Sequence, residues 1–320
     1  PQTRTPDAHF FTEVRYKGTK TVAITPDYAE ISKLADQWLH PKQGTDAAIA
    51  MAMGHVILKE FYFDKRSAYF DDYARRYTDL PLLVQLKRQT GADGRELLVP
   101  DRYLRASDFG GKLGQDNNPE WKTLAFDAAG KVVVPNGSIG FRWGASERED
   151  LGKWNLESKE ARDDADVKLR LSVLEGEAQA HEIVEVGFPY FGGVESPQFT
   201  ANKQQDVLSR RVPAVRLRLG KQEGAEEVLV ATVFDLQVAQ YGINRGFGDD
   251  MPADYDDNKP YTPAWAELIT GVPRAQIAQV AREFADTADK TRGRSMVIIG
   301  AAMNHWYHCD MNYRGIINML

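Results

Sequence analysis

Three groups of residues in this sequence carry donors, acceptors and charge at spacings that suit a polar ligand. The first is Gly44-Thr45-Asp46, at the head of the apolar run "AAIAMAMGHVIL". Glycine frees the backbone, threonine is a good N-cap, and an aspartate in the first turn meets free amides and the positive end of the helix dipole. The same geometry lets a carboxylate and amides face a ligand carrying N–H donors or phosphate oxygens. The second is Thr25-Pro26-Asp27, which closes the apolar stretch "TVAI". An acid just past a strand is where dinucleotide folds hold a ribose or base. The third is the loop "AMNHWYHCDMNYRG", which gathers Asn304, His305, Trp306, His308 and Asp310.

Each group also has a plainer reading. Pro-Asp is a common turn pair, Thr-Asp a common helix start, and aromatic loops often only cover a core. His305 and His308 would ligate a metal only with further ligands, and the sequence offers no third. A hydrogen-bonding loop at a pocket, where an imidazole contacts a polar cofactor or shuttles a proton, suits them better.

The elements that must position these groups read as α/β at both ends. A helix over "AHFFTEVRY", closed by Gly18, leads to the strand "TKTVAIT" and then to a helix over "AEISKLADQWL". A further helix follows the 44–46 turn and runs to about Phe61. Ligands in open α/β sheets bind at the carboxyl ends of strands, so Asp27 and the 44–46 turn are expected as walls of one crevice. From about Leu80 to Pro260, short alternating runs such as "WKTLAFDAAGKVVVPNGSIGFRWG" and "VPAVRLRLGKQEGAEEVLVATVFDLQ" predict antiparallel hairpins, with charged loops between them. Helices return in "YTPAWAELITGV" and "PRAQIAQVAREFADTA", the second opened by Pro273 with Ile277, Val280, Ala281 and Phe284 on one face. A strand over "SMVIIGA", the 301–308 loop and a last helix complete the chain. The expected division is an α/β nucleotide-binding unit over 1–80, a β-rich insertion over 81–260, and a helical connector with the start of a second α/β unit over 261–320.

Composition narrows the function. The 320 residues are 42% hydrophobic and 27% charged, as in a folded globular protein, and the net charge of -6 argues against a nucleic-acid surface. No apolar run approaches the ~20 residues that span a bilayer. The start, "PQTRTPDAHF", is not that of a secretory signal, and both ends read as internal to a longer protein. The single Cys309 excludes an internal disulfide and a cysteine-ligated cluster built from this chain alone. A GxxxxGK[ST] phosphate loop, a GxGxxG after a strand and a nucleophile elbow are all missing from the sequence. The residues by themselves imply a dinucleotide-type ligand held between two α/β halves.

Longer stretches carry a specific resemblance. They include "TVAITPDYAEISKLADQWLHPKQGTDAAIAMAMGHVIL", "NPEWKTLAFD", "NGSIGFRWG", "KWNLE", "EVGFPYFGG", "YTPAWAELITGV" and "GRSMVIIGAAMNHWYHCDMNYRGIINML". Through them nearly the whole chain resembles the catalytic subunits of membrane-bound respiratory nitrate reductases. Its Thr-Pro-Asp strand end and GTDAA helix are similar to those of molybdopterin oxidoreductases related to dimethyl sulfoxide reductase. The resemblance implies a Rossmann-like fold with a β-rich insertion, and reduction of nitrate to nitrite at a molybdenum held by two molybdopterin guanine dinucleotides. It implies Thr25, Asp27, Gly44, Thr45 and Asp46 near one guanosine end, and Gln2 and Thr3 near the diphosphate. Asn304 and His305 would approach the pterin, with His305 the one candidate for a catalytic role. Ligands of a 4Fe-4S cluster and the molybdenum-binding aspartate would lie upstream of Pro1, so this chain alone is expected to be inactive. An iron–sulfur beta subunit and a haem-bearing gamma subunit in the membrane are the implied partners, placing the complex at the membrane, at the cytoplasmic face in most bacterial relatives. Two alternatives stay open: a related reductase of selenate, chlorate or perchlorate, and a non-catalytic nucleotide-binding module.

Overall fold

The computed structural model of the chain describes residues 8–28, 30–90, 94, 96–110, 113, 119–136, 159–160, 167–176, 180–190, 206–219, 226–248 and 250–320. Helix α1 (Ala8–Tyr16) ends at Gly18, whose φ of +86° turns the chain back toward β1 (Val22–Ile24). A short α2 (Glu30–Leu34) then leads to β2 (Gln37–Leu39), which lies parallel to β1 with Val22 opposite Gln37 and Ile24 opposite Leu39. One helix was expected here, and Asp36 is what divides it. Its Oδ2 accepts the Thr21 amide at 2.9 Å and the Thr21 hydroxyl at 2.8 Å, while Oδ1 takes the Arg15 guanidinium at 2.6 Å. Bonds to a distant segment tie residue 36 to the start of β1, and the next three residues continue as its neighbour, overriding a weak helix preference. The Arg15 guanidinium and the Thr21 donors hold the Asp36 carboxyl down to about 2.

Helix α3 (Asp46–Ile57) is apolar on every side because it is enclosed on every side; Ala48, Ile49, Ala52, Met53, Val56 and Ile57 are all buried. It stops as an α-helix four residues earlier than expected, since Leu58–Asp64 winds as a π-helix before α4 (Ala68–Tyr77) begins at the Ser67 cap. The core around α3 is completed by Tyr261, Trp265, Ile277, Val280 and Ala281.

The middle of the chain closes on itself. Strands β3 (Leu83–Thr90) and β4 (Glu96–Tyr103) form a hairpin, followed by the small pairs of β5 (Ala125–Phe126) with β6 (Val132–Val133) and β7 (Pro135–Asn136) with β8 (Lys159–Glu160). Strands β9 (Glu182–Tyr190), β10 (Asp206–Arg218) and β11 (Glu227–Thr232) then join β3 and β4 in a five-stranded closed barrel, order β10-β11-β3-β4-β9. The hairpins expected from sequence are there in β3–β4, β5–β6 and β10–β11, but β4 meets β9 in parallel at Leu98 and Val186, a closure that alternation cannot announce. Closure removes the exposed edges that an open sheet would present. The run "TVFDLQ" is not strand: Thr232 accepts the Asp235 amide at 3.0 Å and starts α5 (Val233–Gln240).

Helices α6 (Pro263–Thr270) and α7 (Arg274–Thr291) follow the sequence expectation, each opened by a proline and separated by Gly271 at φ +78°. Residues 295–300, expected as a strand, adopt no regular structure. They find no pairing edge among the described residues, and Met296 and Ile298 remain 76% and 63% exposed. A strand exists only with a ladder to bond to. A 3₁₀ turn (Ala301–His305) and α8 (Cys309–Met319) end the chain.

Candidate functional site

β1 and β2 are parallel, so the segments that leave their carboxyl ends leave on the same rim. Thr25 anchors that rim: its amide donates to the Leu39 carbonyl at 3.1 Å and its carbonyl accepts the Trp38 indole N–H at 2.9 Å. Both bonds use the main chain of Thr25, and the Thr25 side chain takes part in neither. Asp27 follows, exposed, and among the described residues its carbonyl accepts the Ser32 hydroxyl at 3.3 Å. Tyr28 stands edge-on to Trp38 with ring centres 5.1 Å apart, and the His40 ring, tilted, is also 5.1 Å from Trp38, so three rings cluster beside the rim.

The 44–46 turn is held from behind by Lys42, whose amide donates to Thr270 at the end of α6, 2.9 Å. Gly44 sits at φ +75°, where a side chain is strained. Thr45 takes the N-cap position, but its hydroxyl does not cap. It donates to the Lys42 carbonyl at 2.6 Å and closes the turn on itself. The cap comes from the far end of the chain: Asn312 Oδ1 accepts the Ala47 amide at 3.0 Å. Asp46, first in the helix, is half-buried, and burial pushes its carboxyl upward, its own backbone amide partly offsetting this.

The 301–308 loop arrives at the same place. A side chain at Gly44 would lie 3.9 Å from Trp306, so that ring covers the turn. Asn304 accepts the Tyr313 hydroxyl, which fixes its carboxamide over the first turns of α8. His305 is exposed at the end of the 3₁₀ turn, and Tyr307 stacks obliquely on His308, which takes φ +59° to start α8. The structure therefore brings together two of the groups that the sequence singled out more than 250 residues apart, through Trp306 on Gly44 and Asn312 on Ala47. Asp27 follows the carboxyl end of β1, as the segment leading to the 44–46 turn follows that of β2. Gln2 and Thr3 lie outside the described residues, as do all of "KWNLE" and most of "NGSIGFRWG". Sequence reasoning passed over Asn312; the available signal was a polar residue on the same helical face as the buried Gly315 and Ile316.

A parallel strand rim, a half-buried carboxyl at a helix start, an exposed one at Asp27 and an aromatic cluster are groups that a large polar ligand can use. Sequence comparison gives the chain a family. The chain matches molybdopterin oxidoreductase over residues 1–320, and it belongs to that family, with mixed α/β content. It is 59% identical over its whole length to the respiratory nitrate reductase 1 alpha chain of Escherichia coli (strain K12), of which it covers 24%. It is 43% identical, again over its whole length and 24% of the relative, to the nitrate reductase alpha chain of Bacillus subtilis (strain 168). Identity falls to 27%, over 98% of this chain and 25% of the relative, for the perchlorate reductase subunit alpha of Dechloromonas aromatica (strain RCB). The chain spans about a quarter of the length of the curated relatives it matches.

The family implies a molybdenum–pterin cofactor. The residues present fit a large polar group of that kind: carboxyls accept N–H donors, and the half-buried Asp46 has no hydrogen-bonded side-chain partner among the described residues. No helix among the described residues is long and apolar enough to cross a membrane.

Proposed function

We propose that this chain is a segment of the catalytic subunit of a quinol-linked nitrate reductase, which reduces nitrate to nitrite at a molybdenum held by two molybdopterin guanine dinucleotides. The observation that carries the reading is the 59% identity along the whole chain to a respiratory nitrate reductase alpha chain, against 27% to a perchlorate reductase subunit. In this reading the 1–80 and 261–320 regions are Rossmann-like halves around the cofactor and the 81–260 region is the insertion between them.

Asp46 and Asp27 accept the donors of one guanine, while the amides at the start of α3 and Gly44 let the ligand approach the backbone closely. Thr25 holds the strand end and Thr45 the turn, so both act through main-chain shape. In this reading Gln2 and Thr3 serve the diphosphate. Asn304 and His305 lie toward the pterin, where His305 donates a hydrogen bond or delivers a proton. When bound, the cofactor supplies two-electron oxygen-atom transfer from nitrate, and the protein contributes access, orientation and charge. The 4Fe-4S cluster, the molybdenum-ligating aspartate, an iron–sulfur beta subunit and a membrane haem gamma subunit belong to the rest of the parent complex. Those partners hold the chain at the membrane.

The test is made on the full-length complex. Reduced viologen is expected to drive nitrate to nitrite, with molybdenum and acid-releasable GMP in the purified protein. Turnover of chlorate or selenate without nitrate would move the assignment to a related oxyanion reductase. Neither metal nor GMP would leave a nucleotide-binding module.

A further inference from the structure

Helix α8 reaches the first turn of α3 with two features that pack it unusually close. Asn312 is only 3% exposed, and its carboxamide oxygen accepts the Ala47 amide at 3.0 Å from 265 residues away. Gly315 sits opposite the same residue: a Cβ there would stand 3.1 Å from the Ala47 Cβ and 3.3 Å from its Cα. The space that a side chain would need is already taken, so the two helices touch backbone to backbone. Because Thr45 turns its hydroxyl to Lys42, the cap that α3 lacks locally is supplied by α8.

The same helix is tied to the 301–308 loop. Within its first turn the His308 carbonyl accepts the amides of Met311 at 3.0 Å and Asn312 at 3.2 Å, and the Tyr313 hydroxyl donates to Asn304. Asn304 is thereby bound to α8, with His305 next to it in the chain, and α8 meets α3 at Ala47. The next residue back is Asp46, and Gly44 lies under Trp306.

We infer that Asn312 and Gly315 are positioning residues that set the spacing between the 44–46 turn and Asn304 with His305, and so fix how a dinucleotide-type cofactor is gripped from both sides. The inference rests on the proposed cofactor reading. Neither residue touches the ligand; each acts by fixing the distance between two walls that do.

The test uses the full-length complex carrying Asn312→Leu, Asn312→Asp or Gly315→Ala. Acid-released GMP and molybdenum are counted in each, cofactor release is followed in urea alongside global unfolding by tryptophan fluorescence, and the molybdenum electron paramagnetic resonance signal is recorded. Asn312→Leu deletes the acceptor and is expected to release cofactor roughly fivefold faster, the effect of one lost hydrogen bond. Its resonance g-values should shift while the unfolding midpoint of the complex stays near the parent's. Asn312→Asp keeps the acceptor and should restore parent behaviour, and Gly315→Ala, a one-carbon wedge that leaves the bond intact, should fall between. Parent-like release and g-values in both Asn312→Leu and Gly315→Ala would overturn the inference alone. A parent complex without releasable GMP would overturn the cofactor reading, and the inference with it.

Discussion

His55 is a buried imidazole at the far end of the site helix, and it makes the chain's stability depend on pH. It is 3% exposed in α3, with Nδ1 2.6 Å from the Tyr241 carbonyl, and burial lowers its pKa to about 4 from 6.5. The unfolded chain takes up a proton below about pH 6.5 and the folded chain does so only near pH 4. Stability from this group is therefore full above pH 6.5 and is lost as pH falls toward 4, a total on the order of 3 kcal/mol. Urea midpoints measured from pH 7 to 4 should fall through that window. In His55→Asn, whose amide can still donate to Tyr241, the fall between pH 6.5 and 4 should flatten, and an unchanged slope would assign it to other groups. A second residue-scale prediction concerns Gly44. Alanine at φ +75° costs about 1–2 kcal/mol of strain, so Gly44→Ala should lower the unfolding free energy from urea titration by that amount; no change would mean that the turn relaxes. Gly44 was legible in the sequence because a positive φ leaves a composition mark. Asn312 was legible only as a polar residue on the apolar face of its helix, because the amide that it caps is 265 residues away and leaves no mark in "DMNYRG".

At the scale of elements, secondary structure was legible where local chemistry decides it and illegible where a distant partner does. Prolines, caps and a 3.6-residue apolar stripe specify α6 and α7 without help. β2 exists because Asp36 binds Thr21, and α5 starts where a strand pattern continues because Thr232 and Asp235 cap each other. That Asp235 carboxylate is wholly buried. It accepts from Ser172 at 2.7 Å, the Val173 amide at 2.9 Å, Thr232 at 2.8 Å and Arg245 at 2.6 Å, so one acid ties α5, the 170–174 segment and the loop after α5 together. Removing its cation by Arg245→Met strands a buried charge and is expected to cost about 3–5 kcal/mol. Asp235→Asn with Arg245→Met should lose less than the two single changes summed, in a double-mutant cycle on urea unfolding. Additive losses would show that the pair is not coupled.

At the scale of the whole molecule, the site is a meeting of chain ends. The rim of β1 and β2, the start of α3 and the loop before α8 converge, while the closed barrel between them contributes strands only to itself. In the proposed reading these are some of the walls of a cofactor site. The relatives are about four times as long as this chain, and the Met296 and Ile298 side chains stand exposed on a segment patterned like a strand. A cofactor held by part of its site pays its full cost of immobilisation against a fraction of the contacts, so affinity falls far more steeply than contact area. The 320-residue chain purified alone is therefore expected to reduce no nitrate with a viologen donor and to retain little molybdenum or GMP after gel filtration. Nitrate reduction by the isolated chain would mean that the ligands and electron route needed for turnover lie within these residues, and the placement of both outside them would fall.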